Sequence, residues 1–144
     1  MPDLKGTLTF DNLQRVFAEE AVATRRIAFF ARIAEMEGFA DAAKVLTDLA
    51  ESEIGYADGH LDFLRREGDP ATGRAIGETS QNLQTVADHE ARSAGETYLM
   101  MARTARGEGF FDVAGWFEAL AHTKRAHLER IEAVRAAIEV PKNS

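Results

Sequence analysis

Glu20, Glu53, Glu90 and His127 are the residues of this 144-residue chain whose types and spacing could do chemistry together. The chain repeats itself at an offset of 71 residues, Glu37-Gly38-Phe39 returning as Glu108-Gly109-Phe110. Fifteen residues beyond each glycine stand Glu53 and Lys124, and three residues further Tyr56 and His127. Upstream, Glu20 lies 18 residues before its glycine and Glu90 lies 19 before its own. Each half therefore offers a carboxylate on one helix and an i, i+3 pair on the next, and that spacing puts both members of a pair on one helical face. Carboxylates neutralise and bridge hard, oxygen-seeking cations such as ferrous iron and manganese, and imidazole completes the shell. A full bundle-core set takes one Glu from each of two helices and Glu-x-x-His from each of the other two. Here Tyr56 stands where the first imidazole belongs and Lys124 where the fourth carboxylate belongs, so four of the six positions are filled. The chain has no cysteine, which excludes thiolate, iron-sulfur and disulfide chemistry.

The exchange of Glu for Lys at position 124 changes the local charge by two units, the amount left unbalanced when one divalent cation is removed. Inward carboxylates without any cation must pair or take up protons. Lys124 is thus expected to pair with Glu20, Glu53 or Glu90, and one metal held by Glu90, His127 and a bridging carboxylate stays open beside it. Singly, each of these glutamates reads as a surface residue, the usual lot of Glu; their matched places in two half-repeats point inward instead. Tyr56 reads as a core aromatic whose hydroxyl bonds a neighbouring carboxylate. His60, two turns beyond Glu53 and so about 11 Å along the helix, reads as out of reach of that cluster. His89 and His122 have no spacing partner and read as surface residues. Phe29-Phe30, Met100-Met101, Phe110-Phe111 and Trp116-Phe117 read as core or dimer surface, and Arg25-Arg26 and Arg65-Arg66 as solvated pairs.

The elements that must position these side chains are helices. Apolar residues recur at three-and-four spacing from Asp11 to Met36, with Thr9 or Asp11 as the cap, and again from Asp41 to about Arg66. Gly38 ends the first of these as a left-handed residue. Glu67 to Gly73, rich in helix breakers, is the long connection. A third helix is expected from near Glu78 to Asn82 until Gly107 to Gly109, and a fourth from about Asp112 to Val140, ended by Pro141. The extra residue between Glu90 and Gly109 calls for a π-bulge. Period-two alternation is sustained nowhere. The expected architecture is all-α: a single domain over residues 1–144, a ferritin-like four-helix bundle of two antiparallel hairpins joined by a long crossover. With 24 acidic against 17 basic residues and no dense basic tract, a nucleic-acid partner is not expected. No apolar run approaches a membrane span and the N-terminus lacks a signal sequence, so no membrane partner and cytoplasmic residence are expected.

Leu4-Lys5-Gly6-Thr7, Thr9, Asn12-Leu13 and Phe17-Ala18-x-Glu20, then Glu37-Gly38-Phe39, Asn82-Leu83 and Ala102-Arg103 through Gly109-Phe110, resemble the rubrerythrins in order and spacing over almost the whole chain. The resemblance implies a ferritin-like bundle, usually dimeric, whose di-iron centre reduces peroxide with electrons from a C-terminal rubredoxin-type domain. These 144 residues carry no cysteines for such a domain, so the expected arrangement is a homodimer served by an external electron donor. The implied ligands are Glu20, Glu53, Glu90 and His127 around iron or manganese, one ion or two, with Tyr56 and Lys124 as the residues for a catalytic part. Rubrerythrins also carry a carboxylate at the position of Ser93. In the family the positions of Tyr56 and Ser93 supply alternative ligands to one iron as it changes oxidation state, so their exchange sets this chain apart from the usual iron-shuttling cycle. A metal-free member, with Lys124 in a buried ion-pair network and a task in binding or assembly, is the alternative.

Overall fold

The computed structural model describes residues 2–139, so Val140 and Pro141, expected to close the last helix, lie outside the described residues. Those residues are helical without a strand among them. They divide into two compact units meeting in sequence at Ala75 and Ile76.

The first unit is a hairpin of α1, Leu8–Met36, and α2, Ala40–Leu64. α1 begins one turn earlier than the apolar periodicity suggested. Thr7 supplies the cap, its hydroxyl accepting from the Phe10 N–H at 3.1 Å, which satisfies a donor that helix geometry leaves without a partner. The second unit comprises α3, Thr79–Arg92, a π-helical segment Ser93–Thr97, α4, Tyr98–Gly107, and α5, Phe111–Glu139. α3, the π segment and α4 run on as a single third helix, and the extra residue upstream of Gly109 is taken up in the π turn as its spacing required.

Both hairpins turn through the same device. Glu37 and Glu108 end their helices with nearly equal backbone angles, and Gly38 and Gly109 follow at φ of 85° and 89°. The Gly38 N–H donates to the Glu35 carbonyl at 3.1 Å and the Phe39 N–H to the Ala34 carbonyl at 2.9 Å; Gly109 and Phe110 repeat this on Arg106 and Ala105 at 3.2 and 2.8 Å. These are Schellman caps, whose left-handed residue favours glycine because it has no Cβ to clash. The repeated Glu-Gly-Phe of the sequence is therefore a repeated helix stop.

Small side chains set the close approach of the helices. Among the described residues the buried apolar side chains are alanines, Ala31, Ala50 and Ala57 in the first hairpin and Ala87, Ala94, Ala102, Ala105, Ala114 and Ala121 in the second, with Leu64 the only large one. Across the second hairpin Arg106 bonds Glu118 at 2.5 Å, and the rings of Tyr98 and Phe117 lie 5.8 Å apart. The connection is ordered by its own polar groups: the Asp69 carboxylate accepts from the Ala71 N–H at 2.9 Å and the Thr72 hydroxyl at 3.0 Å. Asn82 reaches back from α3 to both backbone groups of Gly77, at 3.0 Å each.

Candidate metal centre

α3 carries Glu90 inward. The residue is 7% exposed, a depth at which an ionised carboxylate requires a countercharge and hydrogen bonds. Both come from α5, where Lys124 and His127, one turn apart, face α3. The Lys124 ammonium donates to Glu90 Oε1 at 3.0 Å, and His127 Nδ1 lies 3.3 Å from Oε2. The side chains of Lys124 and His127 are 22% and 49% exposed, so the ion pair is largely shielded while the imidazole keeps an open edge. Lys124 thus pairs with Glu90, one of the three carboxylates open to it from sequence.

The π segment sits immediately after Glu90. The Ser93 N–H is shared between the carbonyls of Glu90 and His89, and the Tyr98 N–H donates to the Ser93 carbonyl, five residues back. That wider turn re-phases the helix between Glu90 and the Glu-Gly-Phe stop, which lets Glu90 face α5 although it stands one residue further from its glycine than Glu20 does. Ser93, where the family has a carboxylate, is 5% exposed and belongs to this turn.

An open groove of about 300 Å³ borders the pair, walled by Leu83 and Val86 on α3 and by Arg130 and Ile131 on α5, with Glu90 and His127 at its edge. Arg130, one turn beyond His127, was not singled out from sequence. Its i, i+3 spacing from His127 was the available signal.

In the first hairpin Glu20 and Glu53 are half-buried on α1 and α2. The Glu20 carbonyl accepts from the hydroxyl of the buried Thr24 at 2.9 Å. Tyr56, read from sequence as a core aromatic, is 54% exposed in this structure. It lies next to the small buried Ala57. His60 is half-buried, His89 and His122 are exposed, and Arg26 stacks its guanidinium 5.7 Å from the Phe30 ring centre. Among the described residues no three His, Asp or Glu side chains stand together as an ion's ligands.

Residues 11–134 match the rubrerythrin family model, a span that runs through both hairpins and both Glu-Gly-Phe stops. The chain belongs to the rubrerythrin family. It is 32% identical to Rubrerythrin-1 of Clostridium acetobutylicum over 150 aligned residues, which cover 96% of this chain and 75% of that protein. It is 34% identical to a rubrerythrin of Porphyromonas gingivalis, covering 94% and 70% of the two chains, and 31% identical to that of Nitratidesulfovibrio vulgaris, covering 90% and 70%. An all-helical chain ordered as two long-helix hairpins is what this ferritin-like family requires.

A rubrerythrin centre implies two metal ions, and the donors in the second hairpin fit that number poorly. One of the two Glu90 oxygens is engaged by an ammonium rather than left for a cation. The other, with His127 Nδ1, fits a share in a single ion: two donors each about 2.1 Å from one ion lie roughly 3 Å apart, close to the spacing found here.

Proposed function

We propose that this rubrerythrin-family protein is a non-haem metal protein that acts as an oxidoreductase on peroxide or dioxygen, its carboxylate and imidazole site drawn from Glu20, Glu53, Glu90 and His127. The convergence of Glu90 Oε2 and His127 Nδ1 from two helices to 3.3 Å carries this reading. Iron, or manganese in its place, would supply the electron-transfer chemistry when bound. Tyr56, one turn from Glu53 and exposed, offers a phenol to substrate oxygen. Reducing equivalents come from an external donor, and the working unit is a homodimer in the cytoplasm.

The first test is elemental analysis of the purified protein before and after anaerobic incubation with ferrous iron or manganese. Specific binding of one or two ions per chain, lost on Glu53→Ala, is the expected result and would justify peroxide and dioxygen assays. Absence of specific binding, or binding that survives Glu53→Ala unchanged, would overturn the reading.

A second reading is favoured by one contact, the shielded pair between Lys124 and Glu90. In it the protein binds no metal, the pair is structural, and the task is binding or assembly. Buried ion pairs can be exchanged for apolar side chains with little loss, so Glu90→Leu/Lys124→Met would then fold and assemble as the parent does. Loss of metal or activity in that double variant would count against it.

A further inference from the structure

We propose that the Lys124 ammonium occupies the place of one of the two cations of a rubrerythrin centre, leaving room for at most a single divalent ion beside it. This deepens the metal-binding reading above, with which it shares Glu90 and His127, but it has its own test.

Three observations carry it. By the internal repeat Lys124 is the counterpart of Glu53, so an ammonium stands in a slot built for a ligand. The slot is occupied from within: Nζ lies 3.0 Å from Glu90 Oε1 and the carboxylate side chain is only 9% exposed, unlike the solvated lysine pair Lys44 and Asp48, whose side chains are 77% and 60% exposed. The charge also closes. Exchanging carboxylate for ammonium adds two positive units, the charge of the ion displaced, so the inward carboxylates keep their balance with one dication fewer. A dication on Oε1 would face the ammonium at short range in a partly dehydrated setting, where like charges repel strongly. Oε2, the oxygen that the ammonium does not bond, and His127 Nδ1 remain as the two donors for a single ion.

The experiment is a manganese titration followed by electron paramagnetic resonance, which counts free ion directly, on the parent, Tyr56→His, Tyr56→His/Lys124→Glu and Lys124→Met. We expect no more than one ion per chain in the parent and in Tyr56→His, which restores a donor but keeps the ammonium. The double variant should gain one ion per chain. Lys124→Met, where the carboxylate has lost its cation, should melt below the parent in chelator and be raised by manganese more than the parent is. Two ions bound by the parent would overturn the proposal and leave the metalloprotein reading standing. So would a gain in Tyr56→His alone, or a folded double variant that gains none. If the parent binds none and the double variant binds, the proposal holds while the metal-dependent function fails. Should the double variant not fold, Lys124→Met decides alone: a manganese response no larger than the parent's overturns the proposal.

Discussion

At the scale of single residues, burial separates charges that sequence treats alike. Lys44 and Lys124 each bond a carboxylate at about the same distance, 2.9 and 3.0 Å. The first pair is open to solvent, where an i, i+4 contact contributes little to stability. Removing one member of the second leaves a shielded charge alone, so Lys124→Ala should cost about 3 to 5 kcal/mol in chelator-treated protein, measured by urea denaturation. A loss no larger than that of Lys44→Ala would show that water reaches Glu90 freely. A backbone counterpart lies at Gly68, with φ of 112°, where an added Cβ would meet the Arg74 carbonyl at 2.9 Å. Gly68→Ala should cost about 1–3 kcal/mol, since the strained torsion and the backbone contact cannot both be relieved.

At the scale of elements, the π segment and the caps decide where a side chain points. An α-helix turns 100° per residue, so deleting Gly95 from Ser93–Thr97 should restore α-helical bonding and rotate Glu90 away from α5 relative to the Glu-Gly-Phe stop. Far-UV circular dichroism should stay that of the parent while the melting temperature and manganese binding fall together. Unchanged stability and binding would mean that the π turn has no part in aiming Glu90. At the start of α1 the cap is a simpler matter. Thr7→Ala removes the acceptor of the Phe10 N–H and should cost about 1 kcal/mol, with Thr7→Ser restoring most of it.

At the scale of the whole molecule, the buried apolar side chains are nearly all alanine, while Phe29, Phe30, Val45, Phe63, Met100 and Trp116 are exposed, each by more than 40%. Each two-helix hairpin taken by itself has too little interior to enclose such side chains, so each needs an apolar partner, which the other hairpin of a four-helix bundle or a second copy of the chain supplies. The proposed homodimer draws on part of this surface. Sedimentation equilibrium should find dimers at micromolar concentration, and Phe30→Asp should shift them toward monomers; a parent that stays monomeric would remove the dimer from the proposal.

Much of this architecture was legible from residues alone because it is local. The two Glu-Gly-Phe stops, the breaker-rich connection and the one-residue excess before Gly109 depend on neighbours a turn away, and each appears where its chemistry demanded. The start of α1 was misplaced because a threonine cap outweighs apolar periodicity at a helix end. By itself the sequence determined the helices, their pairing into hairpins, the family, and the presence of a lysine in a ligand position, since all of these follow from spacing. Only the tertiary structure decided that Lys124 bonds one oxygen of Glu90 and that His127 meets the other. Which inward charges meet depends on helix rotation set by a π turn and on the depth of burial, and neither is a property of any residue taken alone.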